Sequence, residues 1–217
     1  MKNKRMITAA AAVLLLCGCT ASTAEPETEP EPTEETVEGT KDEVVITNLV
    51  DFNILNETAD LSGYQWLNDD EPAFTEISLQ ESIRFFTEGG SGILVFSADT
   101  CPFCNRAIPI LNEILKEKGV KAYYVDTNMP IASDQATSMA LYNELCSYIE
   151  SIFELDGDGK PMFQIPEVIA VKDGQIVGHH LSLVDSFILT DENAQMTDGE
   201  KDELRSIYRG LIDACAD

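Results

Sequence analysis

Cys101-Pro102-Phe103-Cys104 sets two thiols three positions apart. An apolar run, Gly92-Ile93-Leu94-Val95-Phe96, precedes the pair, and Ala107-Ile108-Pro109-Ile110-Leu111-Asn112-Glu113-Ile114-Leu115 follows it with helical spacing. Two thiols at a strand-to-helix junction make a frame for thiol–disulfide exchange. At a helix N-terminus the first sulfur lies beside unpaired backbone N–H groups, and the positive end of the helix dipole favours a thiolate there. The thiolate, not the thiol, attacks disulfides. Cys101 is therefore the expected nucleophile. Cys104, one turn later, is the expected resolving thiol. Pro102 suits a first helical position, where no N–H partner is needed.

The elements that must hold this pair can be read outward from it. Residues 93–96 form a continuous apolar run, the pattern of a central strand buried on both faces. The helix after the motif starts near Pro102, contains Pro109 and ends at Gly119. Residues 122–125 read as the next strand. Upstream, residues 74–77 alternate like a strand, and Ser78-Leu79-Gln80-Glu81 has the form of a capping box opening a helix that Gly89-Gly90 ends. Residues 133–153 read as a helix with Met139, Tyr142, Leu145, Cys146 and Ile149 on one side. Asp156-Gly157-Asp158-Gly159 marks a tight turn. Residues 166–171 and 175–178 make a hairpin around Lys172-Asp173-Gly174. Thr197-Asp198-Gly199-Glu200 caps a last helix with Leu204, Ile207, Leu211 and Ile212 inward. Residues 44–46 are β-branched and predict a short strand, whereas residues 51–71 give no assignable period. The order is α/β, with parallel crossovers first and an antiparallel hairpin last.

The N-terminal stretch differs from all of this. Lys2, Lys4 and Arg5 precede an apolar run over residues 6–16, which predicts a signal peptide over residues 1–18. Leu16-Cys17-Gly18-Cys19 resembles a bacterial lipoprotein signal. That resemblance implies a lipidated Cys19 at the new N-terminus; Cys17 fits less well, because Leu16 stands where a small residue is wanted. Residues 19–43 are dominated by Glu, Pro and Thr and predict a disordered tether. A single domain over residues 44–217 follows. The formal charge of the chain is −25. Loss of residues 1–18 would remove three basic residues and no acidic one, making it more negative still. So acidic a surface argues against nucleic acid as a partner.

Val95-Phe96-Ser97-Ala98-Asp99-Thr100-Cys101-Pro102-Phe103-Cys104, the helix after it, Tyr123-Tyr124-Val125-Asp126, and Ile165-Pro166-Glu167-Val168 entering a hairpin together resemble the thioredoxin superfamily. The similarity covers about residues 74–214. It is nearest to the thioredoxin-like lipoproteins and bacteriocin-transport accessory proteins of Gram-positive bacteria. The resemblance implies a thioredoxin-like fold: a central mixed sheet flanked by helices, with an inserted helix before the proline loop. It implies a cis Ile165–Pro166 bond, with Pro166 packed on the cysteine pair and the Ile165 backbone binding an extended substrate segment beside Pro102 and Phe103. It implies thiol–disulfide oxidoreductase activity on protein thiols or disulfides at the outer face of the membrane, with a membrane redox partner if the protein reduces. No cofactor is implied. Three positions depart from the pattern. Val95 stands where a buried carboxylate is usual, Ser97 where a tryptophan is common, and Pro-Phe replaces Gly-Pro between the cysteines. Without the acid, the proton of Cys104 must leave by water or another base.

Two cysteines remain, Cys146 and Cys215. They could form a second disulfide or stay as buried free thiols; spacing leaves both open, because a disulfide needs Cα atoms within about 7 Å. His179-His180 ends the hairpin, and alternation sends the two rings to opposite faces. Two other functions fit the same residues. One is a metallochaperone holding a soft ion at Cys101 and Cys104, although no metal site is assigned. The other is a non-catalytic binding module for secretion.

Overall fold

The computed structural model describes residues 43–217. The predicted signal peptide, Cys19 and the acidic tether, save Glu43, lie outside the described residues. The elements, in chain order, are β1 (Ile54–Asn56), β2 (Phe74–Ile77), α1 (Leu79–Thr87), β3 (Gly92–Ser97), α2 (Cys104–Lys118), β4 (Ala122–Asp126), α3 (Gln135–Ile149), β5 (Glu154–Leu155), β6 (Pro161–Met162), β7 (Glu167–Lys172), β8 (Gln175–Leu181) and α4 (Asp198–Cys215).

Six strands form one sheet in the order β1-β2-β4-β3-β7-β8. β2, β4 and β3 are parallel, so α1 and α2 serve as their crossovers. β7 runs antiparallel to β3 and β8 antiparallel to β7, closing the sheet with the predicted hairpin. This is the mixed sheet flanked by helices that the sequence predicts. β3 is central, and all six of its residues are buried. Its side chains alternate between two cores. Ile93 and Val95 join the layer of α2 and α4, while Leu94 and Phe96 join the layer of α1 and α3. A strand buried on both faces has no solvent-facing position, which is why its sequence is apolar throughout.

The helix ends follow local chemistry. Thr197 and Glu200 form both halves of a capping box on α4: the Glu200 N–H reaches Thr197 Oγ1 at 3.3 Å, and the Thr197 N–H reaches Glu200 Oε2 at 2.7 Å. On α1 only half of the predicted box forms. Ser78 Oγ accepts the Glu81 N–H at 3.2 Å, but the Glu81 carboxylate accepts from the Asn53 backbone and side chain and from Arg84. A tertiary fastening has taken the local partner's place. Gly119 ends α2 with φ at 71°, the left-handed conformation that glycine adopts without a Cβ penalty.

Three expectations need correction. Residues 44–46 form no strand. Val44 N–H donates to Lys118 O and Val45 O accepts from Asp217 N–H, so the segment ties a helix end to the C-terminus and joins no ladder. The long helix over 133–153 is shorter: α3 stops at Ile149 and a 3-10 turn covers Glu150–Ile152. Only Leu145 and Ile149 of α3 are buried, and Met139 is exposed, because this helix covers one edge of the core. The Asp156–Gly159 turn is the tip of the small β5–β6 hairpin. No helix among the described residues is long and apolar enough to cross a membrane.

Candidate active site

Cys101 lies in the turn between β3 and α2, and Cys104 begins α2. Three side chains hold that turn. Asn105 Nδ2 donates to the carbonyls of Asp99 (2.5 Å) and Cys101 (3.0 Å), while its Oδ1 accepts the Gln65 N–H at 2.6 Å. Arg106 donates to Pro102 O, Glu192 O and Ala194 O, and its guanidinium lies 4.5 Å from the centre of the Trp66 ring. Asn128, just past β4, links Asp99 Oδ1 and Thr100 Oγ1. The planar guanidinium satisfies three carbonyls at once and stacks on an aromatic face, which an ammonium could not do. Asn105, Arg106 and Asn128 carried no signal in the sequence beyond their places near the motif. Trp66, from the segment with no assignable period, is the ring under Arg106.

The two sulfurs are in unlike surroundings. Cys101 is half-buried; Cys104 is fully buried. Cys101 Sγ accepts the Cys104 N–H at 3.3 Å and lies 3.7 Å from the carbonyl oxygen of Ile165. Donation from the Cys104 thiol and from the backbone N–H groups of Cys104 and Phe103 outweighs burial and lowers the Cys101 pKa to about 6. Burial, and then the hydrogen bond to Cys101, pushes Cys104 far above the ordinary thiol range. At neutral pH the pair is thus one thiolate and one thiol. Because the Cys104 thiol is the strongest donor, Cys104→Ala is expected to raise the Cys101 pKa. Its thiolate fraction at pH 7 should fall by about tenfold. Iodoacetamide alkylation of Cys101 across pH 5–9 checks this; an unchanged midpoint near pH 6 would sink it.

The loop before β7 faces the first sulfur. The Ile165–Pro166 bond is cis. Ile165 packs against both cores, so it sits at the end of the sheet where the two layers meet, beside Cys101. Pro166 is buried, whereas Pro102 is exposed and Phe103 half-buried at the rim. The cysteine pair therefore sits at the carboxyl end of the central parallel strand, at the start of the helix after it, with the entrance to the antiparallel hairpin opposite. The fold is thioredoxin-like.

No family model matches the chain. Among solved structures, a thioredoxin from Aeropyrum pernix is 20% identical over 49% of this chain and 73% of its own, with a TM-score of 0.32. An uncharacterized thioredoxin-like protein from Clostridium perfringens is 19% identical over 70% of this chain and 91% of its own, with a TM-score of 0.33.

Val95 occupies the layer that holds Cys104, so an apolar side chain stands at the position noted for a carboxylate. A buried carboxyl does occur on another strand, on the opposite face of the sheet. Glu167 is 3% exposed and pairs across the ladder with Phe96. Burial, with a small contribution from Glu154, raises its pKa to about 8. Its Oε1 is 3.0 Å from His179 Nδ1, and burial lowers the pKa of His179. Both shifts favour the uncharged forms, so the contact is a neutral acid–imidazole hydrogen bond and not an ion pair. His180 points to the other face, edge-on to Tyr208 with ring centres 6.0 Å apart. Among the described residues no cluster of three or more His, Cys, Asp or Glu side chains is gathered for a metal.

The structure does not bring Cys146 and Cys215 together. Cys146 lies on α3, on the α1 side of the sheet, where its partner is the Tyr142 hydroxyl. Cys215 lies on α4 in the opposite layer, with its thiol 3.5 Å from the carbonyls of Gly92 and Val171. Both are free, and the sheet stands between them.

Proposed function

We propose that this protein is a thiol–disulfide oxidoreductase acting on other proteins at the outer face of a cell membrane, where Cys19 would anchor it by lipid. One observation carries the reading. A half-exposed sulfur, Cys101, is held as a thiolate by the buried thiol and backbone N–H groups of the next helical turn, opposite the Ile165 carbonyl. Export and lipidation rest on the basic start, the apolar run and Leu16-Cys17-Gly18-Cys19. The tether would let the domain reach clients away from the bilayer. Pro102, Phe103, Ile165 and Pro166 would form the rim against which a substrate segment lies.

Stabilising the Cys101 thiolate stabilises the reduced pair, which makes the disulfide a stronger oxidant. The Cys101 pKa of about 6 lies below the ~7 of thioredoxin. The reduction potential is therefore expected a few tens of mV above thioredoxin's ~−270 mV and well below the ~−120 mV of a strong oxidase. Equilibration of the full chain in glutathione buffers, with mass-tagging of free thiols, measures it. A pair that forms no disulfide at any poise would remove the redox reading and favour a soft-metal or client-holding role.

A further inference from the structure

Cys104 must lose a proton before it can resolve a mixed disulfide, and Val95 supplies no carboxylate to take it. What surrounds the sulfur instead is a row of hydroxyls. Ser97, the last residue of β3, is fully buried, and its hydroxyl, like the Ala98 N–H, favours the charged form of the Cys104 sulfur. Tyr64 donates its hydroxyl to Ser97 Oγ at 2.8 Å. Tyr64 and Tyr124 hydroxyl oxygens are 3.0 Å apart. Each hydroxyl has one hydrogen. Since the Tyr64 proton is committed to Ser97, the Tyr124 proton must point at Tyr64, and the Ser97 proton is left for sulfur. The three residues are buried, at 3%, 4% and 0% exposure for Tyr64, Tyr124 and Ser97.

We infer that Tyr124, Tyr64 and Ser97 form a one-way donor chain that stabilises negative charge on Cys104 during resolution of the mixed disulfide. The inference rests on the oxidoreductase reading above. Hydrogen bonds in series polarise one another, and donation to a charged acceptor is stronger than to a neutral one. Ser97 touches a reacting atom and is a catalytic residue. Tyr64 and Tyr124 act through it and are positioning residues.

The chemistry balances without a base in the protein. The Cys101 thiolate attacks a substrate disulfide, forming one S–S bond and releasing one substrate sulfur. The Cys104 sulfur, its charge held by Ser97, then attacks Cys101; the Cys101–substrate bond breaks, and the second substrate sulfur leaves as a thiolate. The proton given up by Cys104 through water matches the one taken by that thiolate. The substrate gains two electrons and the pair loses two. In the free dithiol the Cys104 proton serves Cys101; once Cys101 is in the mixed disulfide that role ends, and the donor chain becomes the largest local stabiliser of the new charge.

The titratable groups that act on Cys104 or feel its charge are Cys101, Tyr64, Tyr124 and Tyr208. Burial raises all three phenols, so they stay protonated across the working range.

Single-turnover reaction of the reduced full chain with a disulfide-bonded peptide, quenched in acid and resolved by mass, follows both steps. Mixed-disulfide formation at Cys101 is the internal reference. Ser97→Ala is expected to slow resolution relative to formation by about tenfold at pH 7, the size of one lost hydrogen bond to a charged atom. The rising limb of the resolution pH profile should move to higher pH. Tyr64→Phe, which leaves Ser97 in place, should slow it by a smaller factor, and Ser97→Thr should restore it. Resolution at the wild-type ratio with an unmoved pH limb in both Ser97→Ala and Tyr64→Phe overturns the donor chain while leaving the oxidoreductase reading intact. A wild-type chain that never forms a mixed disulfide overturns both.

Discussion

Cys101→Ser is expected to reduce disulfide exchange to the uncatalysed level, and Cys104→Ser to accumulate the mixed disulfide. The asymmetry follows from where the sulfurs lie. Cys101 is the half-exposed thiolate; Cys104 is completely buried and held well above the ordinary thiol range. A serine at position 101 has no anion to offer near neutral pH and is a far weaker nucleophile, so nothing replaces the first attack. A serine at position 104 still donates a hydrogen bond to Cys101, so the first attack survives, but it cannot close the disulfide that expels the substrate. Non-reducing gels of cells carrying each variant read this out: covalent adducts with Cys104→Ser, and none with Cys101→Ser. Residual exchange in Cys101→Ser above the uncatalysed rate would overturn the assignment of the nucleophile.

The second large effect concerns stability. Burial raises the folded-state pKa of Glu167 from its ordinary 4.5 to about 8. The folded protein therefore holds a proton that the unfolded chain has released at the same pH. The contribution of this group is fully present below about pH 4.5 and is lost as pH rises through about 8. The titratable groups that act on the carboxyl or feel its charge are His179, Glu154 and, across the sheet, Tyr208. Glu167→Gln keeps a donor for His179 Nδ1 and removes the titration. Relative to wild type, this variant is expected to gain stability steadily between about pH 5 and 8 and then to level off, by on the order of 4 kcal/mol at the upper end. Urea unfolding at several pH values checks it. Parallel pH dependence in the two proteins would mean that Glu167 titrates normally in the fold.

Legibility of the chain depended on how local each feature was. Helix caps are local: Thr197 and Glu200 are three residues apart, and the box they spell is the box that forms. Ser78 and Glu81 spell the same box, but Glu81 is drawn to Asn53, 28 residues away. Residues 44–46 have strand-like composition and no strand, because a strand is a relation between two segments and no neighbouring ladder is open to them. The segment over 51–71 has no period to read. It nevertheless supplies β1 at one edge of the sheet, the Trp66 ring under Arg106 and the Tyr64 hydroxyl behind Ser97.

The sequence by itself determined the chemistry of the pair. Two thiols at a strand-to-helix junction share one helical turn, so the backbone N–H groups that stabilise the first sulfur and the reach of the second are consequences of short-range geometry. The mixed sheet likewise followed from the order of apolar runs, helical spacing and one hairpin turn. Only the tertiary structure decided what surrounds Cys104 and Glu167. Tyr64, Ser97 and Tyr124 come from a loop and two strands, and Glu167 becomes a neutral acid because β3, β8 and the adjoining core exclude water from it. Burial and long-range hydrogen bonding are properties of packed layers, and no window of sequence contains them.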